Sequence, residues 1–492
     1  MNSPQAPSGR GSSEEAEKHA HGIAVATKDV DTGAALVAGM SGDLDPDDAA
    51  RVLRKIDFGI LPMMIQFMDK ATLGSSAILG IHSHPQLSDY IRLGTVFYLS
   101  YLLFEYPQNL ALQRFPVGRW ISINIFVWGI SLACQAACTN FAGLFVARFI
   151  LGMCEGCITA GFMIVSSMFY TRSEQTSRFG YWSQIISGFI SFGSLHITTL
   201  RFAPWQWLMI ITGILTLITA VVLFPDSPTN AWFLTPSERA IAIQRLKENQ
   251  TGVENKHFKK DQMLEALKDP KTWIFALFAA LDQIPNSLSN QRQIIMTTIG
   301  FSDLQTTLLS CVDGFMEVAT IWTGVMIVSR IPNSRAYVGA VYFIPALVGI
   351  ALLFAIWLVD IGITGFVLSL AWLTSITAGH TKRVTTNAIV LSGYCLGNGL
   401  GPFMWLSQYK PRNRVPWIVI GLCYTICPLL LLIIRFMLSR ENKKRDAEPV
   451  NGNFEEVYIE QVTADGKRIE VKVDKEFLDL TDIQNRDFRY VL

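Results

Sequence analysis

The sequence predicts an all-α integral membrane protein with about twelve transmembrane helices in two six-helix bundles. Three observations carry this. Hydrophobic residues are 50% of the 492 residues and charged residues only 16%, where a soluble domain has about 25% charged. Polar residues gather in 1–50, 226–271 and 439–492. Between them lie apolar runs of about 18–25 residues, long enough to cross roughly 30 Å of hydrocarbon at about 1.5 Å per residue. Lipid offers no partner to backbone N–H and C=O, which leaves helices or a closed barrel. The alternation expected of a membrane barrel is absent.

The expected spans are 56–79, 92–112, 120–138, 142–169, 179–199, 205–224, 272–295, 305–329, 336–358, 361–379, 384–407 and 416–438. Little more than Asp360 and Gly362 separates spans nine and ten, so one of them is short or strongly tilted. Residues 1–50 read as a disordered cytosolic arm with neither an apolar core nor a signal peptide. Residues 51–225 and 272–438 form the two bundles, and 226–271 is a cytosolic linker with amphipathic helices. In that linker Thr235-Pro236-Ser237-Glu238 is a helix start, with a capping Thr, Pro in the first turn and Glu reaching back to the cap. The helix should run to about Asn249, and a second short one should precede Asp269-Pro270. In the tail, 439–492, Val457–Val473 alternates around Asp465-Gly466, a turn pair suited to a β-hairpin.

Basic residues set the orientation. With both termini in the cytosol, the inner flanks hold Arg51, Arg54, Lys55, Arg114, Arg119, Arg172, Arg178, Arg330, Arg335, Lys382, Arg383 and Lys443-Lys444-Arg445. The outer loops hold Arg92, Arg201 and one exception, Lys410-x-Arg412-x-Arg414. The formal net charge of +1 gives no reason to expect nucleic-acid binding.

Ionisable groups inside apolar spans are costly and are therefore functional candidates. Asp69-Lys70 lies in span one, Glu105 in span two, and Arg148 and Glu155 in span four. Seven residues are about two helical turns, so Arg148 and Glu155 share a face, roughly 10 Å apart along the axis. Arg stays charged at any biological pH, whereas a buried Glu can titrate. A fixed cation beside a titratable acid suits proton-coupled anion uptake, with Asp69 a second titrating group and Lys70 a second anion contact. The competing reading is that these charges hold helices together. Glu105, Asp282, Arg292, Asp313 and Glu317 fit a gate or cross-helix ion pair at least as well as substrate contact. His196 and His380, at span ends, are expected to be solvated. Gly152-x-x-x-Gly156 and Gly393, Gly397, Gly401 have the spacing that lets helices approach closely. Cys154-x-x-Cys157 has a metal or redox spacing, but all eight cysteines lie in apolar runs, where packing explains them. No disulfide, metal or cofactor is expected. There is no phosphate loop, channel filter or hydrolase motif, so neither a pump driven by ATP nor an enzyme is indicated.

Several segments carry a family resemblance over roughly 45–440. They are Met68-Asp69-Lys70-x-Thr72-Leu73-Gly74, Phe97-Tyr98-x-x-Tyr101-x-x-x-Glu105-Tyr106-Pro107, Phe115-Pro116-Val117-Gly118-Arg119 and Arg148-Phe149-x-Leu151-Gly152-x-x-Glu155. In the second half they are Gly379-His380-Thr381-Lys382-Arg383-x-Thr385-x-Asn387 and Gly393-Tyr394-Cys395-x-Gly397-Asn398-x-x-Gly401-Pro402. The chain resembles the major facilitator superfamily, and within it the fungal anion:cation symporters of the allantoate permease branch. The resemblance implies uptake of small organic anions with protons, with allantoate, ureidosuccinate, short peptides and nicotinate among family substrates. It implies coupling protons at Asp69 and Glu155. In the leading reading Arg148 and Lys70 engage the anion, and Asn387 and Asn398 add polar contacts. Two departures stand out. The basic residue after Asp69 is Lys, which lacks the planar fork of Arg. Loop two–three keeps only Pro116-Val117-Gly118-Arg119 of the superfamily signature and lacks its usual Asp. A monomer in the plasma membrane is expected, with the vacuolar membrane, metabolite efflux and a non-transporting nutrient receptor as alternatives.

Overall fold

The computed structural model describes residues 23–24, 45–64, 90–138, 140–171, 174, 203–221, 225–246, 255, 257–352, 356–409, 413–448, 457–462, 468–473 and 479–492. Span five and the second part of span one, with Asp69 and Lys70, lie outside them. The described part of the first half comprises α1 (Pro46–Met64), α2 (Tyr90–Arg114), α3 (Val117–Gln135), α4 (Phe141–Phe169) and α5 (Pro204–Val221). Helix α4 starts where the Asn140 side chain accepts a hydrogen bond from the Gly143 amide at 2.8 Å. Helix α2 packs on α4, and α3 packs on both α4 and α5.

The linker carries α6 (Pro236–Arg245) and α7 (Lys260–Lys268). Both halves of the Thr235–Glu238 capping box form. The helix ends at Arg245, short of Asn249, and residues 247–254 lie outside the described ones. Three charge contacts fasten the linker and its approach to the first half: Lys55 to Glu238 at 2.7 Å, Arg245 to Glu174 at 2.6 Å, and Arg119 to Asp226 at 3.8 Å. The last supplies a carboxylate for the arginine of the reduced loop signature.

In the second half, expected span seven is two helices, α8 (Pro270–Gln283) and α9 (Ser287–Ile299). Pro285 causes the break, because it has no amide to give the Leu281 carbonyl. Next come α10 (Asp303–Arg330), α11 (Arg335–Val341), α12 (Phe343–Leu352), α13 (Ile356–Val359), α14 (Ile363–Ile376), α15 (His380–Leu400) and α16 (Arg414–Asp446). Span ten is the short one, since the 14 residues of α14 reach only about 21 Å. Helix α16 continues eight residues past the expected end of span twelve, as a basic extension. Helices α3, α4 and α16 are each long and apolar enough to cross a membrane.

Glycine sets the closest helix contacts. A β-carbon on Gly152 would overlap the Phe97 carbonyl of α2. On Gly393, Gly397 and Gly401 it would overlap the carbonyls of Ala276, Ala280 and Ile284 along α8. Between the halves, α2 packs along α15, from Gln113 and Thr381 at one end to Tyr98 and Gly399 towards the other.

The tails add the strands. In β2 (Val457–Val462) and β3 (Arg468–Val473), the antiparallel pairing is symmetric about residue 465. Two residues of the arm expected to be disordered, β1 (Ile23–Ala24), pair in parallel with β2, and α1 begins inside that arm.

Residues 479–492 fold back onto the basic end of the second half. Asp482, fully buried, bonds Lys382 Nζ at 2.7 Å, Lys271 Nζ at 2.8 Å and the Tyr490 hydroxyl at 2.6 Å. Lys382 also pairs with Glu265 of α7 and Asp269. The Trp372 indole donates to the Val491 carbonyl at 2.7 Å, and Arg445 donates to the Phe488 carbonyl at 2.8 Å. Gly379, at φ +87°, leaves room for Thr481 and Gln262, where tail and linker meet the start of α15. Burial alone would raise the Asp482 carboxyl. The ammonium groups of Lys271 and Lys382 outweigh it and hold the carboxyl well below the usual carboxylate range. That stabilisation is complete above the unfolded carboxylate range and fades only as pH falls through the lower folded value.

Two outcomes are expected. Gly397→Val should force α15 off α8 and lower stability by about 1–3 kcal/mol or more; a thermal midpoint equal to wild type would contradict this packing. Asp482→Asn should weaken tail docking by about 3–5 kcal/mol, seen as faster amide exchange over 479–492 at neutral pH. Unchanged exchange there would mean that the buried charge cluster does not hold the tail.

Candidate functional site

Helix α4 brings Arg148 and Glu155 inside the first half, only 4% and 3% exposed. Both lie on the face around Gly152, where α2 makes its close approach. The tail end of α4 also reaches α15 and α14 of the second half.

A wall of aromatic rings joins the halves beside this face. Tyr394 of α15 stacks on Phe366 at 5.7 Å and meets Tyr98 at 6.2 Å and Tyr101 at 5.9 Å, with Phe97 behind at 6.4 Å from Tyr101. Tyr101 and Tyr394 both lie within electrostatic range of Glu155. The wall forms because Phe97 and Tyr101 are one helical turn apart on α2, facing α15.

The second fixed point is at the basic end. Arg383 Nη1 donates to Ser167 Oγ at 2.8 Å, and Gln113 Nε2 donates to Thr381 Oγ1 at 2.8 Å. From Ser167 back to Glu155 is about 18 Å of α4, and from Arg383 on to Tyr394 is about 16 Å of α15. The two helices therefore run antiparallel past each other with matching heights. Asn387 shares the face of Arg383 and Tyr394 and sits between them in height. It is 1% exposed, and its Nδ2 has no hydrogen-bond partner among the described residues.

Other candidates fall elsewhere. Asn398 is committed to packing: its amide donates to Gln283 Oε1 and the Tyr394 carbonyl, and its oxygen accepts from Asn286. Asp282 is buried and accepts from Gln283 Nε2 at 2.9 Å, with no ion-pair partner among the described residues. Glu105 is fully buried, and among the described residues its bonded side-chain partner is Asn109, not a cation. For these two, the ion-pair option of the sequence reading does not hold among the described residues. Arg292 is buried on α9, and Glu317 is partly buried on α10. The side chain of Asp313 lies outside the described ones, as do Asp69 and Lys70. His380 is buried rather than solvated: its amide donates to Asp479 at 2.7 Å, and burial with nearby Arg383 pushes the ring down to about 4.

Sequence reasoning missed Gln113, Ser167, Asp226, Asp479 and Asp482 as contact residues. None stands out as a charge inside a span, and each acquires its partner only in the fold. Tyr101 and Tyr394 were visible only as aromatics without a direction.

Buried charges on paired helices and two bundles joined by a polar linker define a multi-pass carrier of small molecules. The family model of the Major Facilitator Superfamily matches residues 52–402. The chain belongs to that superfamily, and it is a membrane transporter rather than an enzyme. A thiamine pathway transporter of Saccharomyces cerevisiae is 34% identical, over 90% of this chain and 86% of the relative. The allantoate permease of Saccharomyces cerevisiae is 28% identical, over 92% and 88%. The fold matches a proton:xylose symporter with TM-score 0.58 at 12% identity, over 80% of this chain and 96% of that one.

Proposed function

We propose that this chain imports a small organic anion together with protons, by alternating access. The carrying observation is that Arg148 and Glu155 are both buried on one face of α4, beside the aromatic wall between the halves. A guanidinium out of water gives a carboxylate two parallel donors. A carboxyl in the same region takes a proton at acid pH outside and loses it inside. Tyr101 and Tyr394 offer a flat apolar surface with hydroxyl ends for the body of the substrate. Asn387 supplies a donor from the second half, so that one bound anion contacts both bundles. The allantoate permease among the relatives supports an anion of the allantoate, ureidosuccinate, dipeptide or nicotinate kind. The plasma membrane is the proposed location.

The test is uptake of labelled allantoate, ureidosuccinate, a dipeptide and nicotinate in yeast lacking its own carriers, at acid pH, with and without a protonophore. Protonophore-sensitive accumulation of one of them is expected. Surface-expressed protein that takes up none, but exports one from loaded vesicles, would replace import with efflux. Glu155→Gln should abolish accumulation while leaving exchange of internal for external anion. If that variant still concentrates the anion in a pH-dependent way, Glu155 is not the coupling group.

A further inference from the structure

Glu105 is a buried carboxyl that the reading above does not use. It sits on α2, one turn beyond Tyr101 and one turn before Asn109, with 0% exposure. Its Oε1 accepts from Asn109 Nδ2 at 2.6 Å, and its Oε2 has no hydrogen-bond partner among the described residues. No described cation lies within ion-pair distance. Its titratable neighbours are Tyr101 on its own helix and Cys157 on α4. Around Tyr101 stand Glu155 of α4 and Tyr394 and Cys395 of α15. The space for this carboxyl comes from Gly156, immediately after Glu155: a β-carbon there would lie 3.2 Å from Tyr101 Cδ2 and 3.6 Å from Glu105 Oε2.

An ionised carboxylate that is buried and held by one neutral amide is costly. A structural role would be met by Gln at that position, which could still accept from Asn109 and would carry no charge penalty. The Tyr101 hydroxyl is itself buried, has no hydrogen-bond partner among the described residues, and lies within electrostatic range of both carboxyls. A hydroxyl can both accept and donate.

Resting on the proton-coupled reading of Glu155, we propose that Glu105 is a second proton-carrying carboxyl, exchanging its proton with Glu155 across the Tyr101 hydroxyl. In this structure the Tyr101 hydroxyl bonds neither acid; in the transfer it turns into reach of both, and Glu155 gives its proton to the Tyr101 oxygen as Tyr101 gives its own to Glu105 Oε2. One O–H bond forms for each that breaks, and Tyr101 ends neutral. Asn109 positions the carboxyl, and Gly156 keeps the path between the two acids free of a side chain.

Two measurements test this. In proteoliposomes of the full chain with an imposed gradient of one pH unit, the panel anion that wild type accumulates is followed for Glu105→Gln. With one proton fewer per anion, Glu105→Gln should accumulate about tenfold less while keeping anion exchange, and Tyr101→Phe should slow accumulation and shift its pH profile. Equal accumulation by wild type and Glu105→Gln overturns the second site and leaves Glu155 coupling intact. Wild-type accumulation that ignores a protonophore overturns the coupling reading instead. Where the Gln variant fails to fold, or no panel anion moves, labelling of purified wild-type protein by dicyclohexylcarbodiimide decides, because the reagent attacks protonated buried carboxyls. Labelling at Glu105 that declines as pH rises, with the decline displaced in Tyr101→Phe, supports the proposal. Labelling that is absent or unchanged with pH overturns it.

Discussion

Where Gly152 faces the Phe97 carbonyl, and Gly393, Gly397 and Gly401 face the carbonyls of α8, helices meet at a spacing that any side chain would forbid. Lipid tails are as apolar as leucine, so burial alone gives membrane helices little reason to associate. Close backbone approach supplies dispersion contact instead, and it fixes which helices pair. Helix α2 is held to α4 in one half and α8 to α15 in the other. The residues proposed to bind and to couple sit on these same helices: Arg148 and Glu155 around Gly152, Tyr101 and Glu105 on α2, and Asn387 and Tyr394 on α15. The packing constraint is what holds the candidate site at its spacing.

The charges divide into two populations with different physics. At the basic end they are numerous and mutually satisfied. Asp482, Asp269 and Glu265 surround Lys382 and Lys271, and the tail segment 479–492 closes the cluster against α11, α14 and α16. Such a network is stable because every buried charge has partners. In the middle of the bundle, the described side-chain partners of Glu105 and Asp282 are neutral amides. A fully paired cluster ties linker, tail and second half into one unit. A sparsely paired acid can change protonation, which is what a coupled carrier requires.

The tyrosine wall relates these layers. Tyr394 touches Phe366 of its own half and Tyr98 and Tyr101 of the other, so the rings lie at the seam across which the halves would rock. The Arg383–Ser167 and Gln113–Thr381 bonds mark the same seam at the basic end. A substrate bridging Arg148 and Asn387 would lie between these two sets of contacts.

The sequence by itself determined the class of the fold, because lipid forces backbone hydrogen bonds to close within each apolar run. It also determined the Thr235–Glu238 cap, the alternation centred near Asp465-Gly466, the glycine spacing and the shared face of Arg148 and Glu155, all of which depend on residues close in the chain. It could not place Asn398, whose neighbours Gln283 and Asn286 lie more than a hundred residues away at the break made by Pro285. Nor could it show that no described cation pairs with Glu105, that His380 is buried, or that the tail carries a buried carboxylate. Partners far apart in sequence leave no local period. Only the tertiary structure, by deciding which helices touch, turned those residues into a seam, a latch of charges and a pair of acids around one tyrosine.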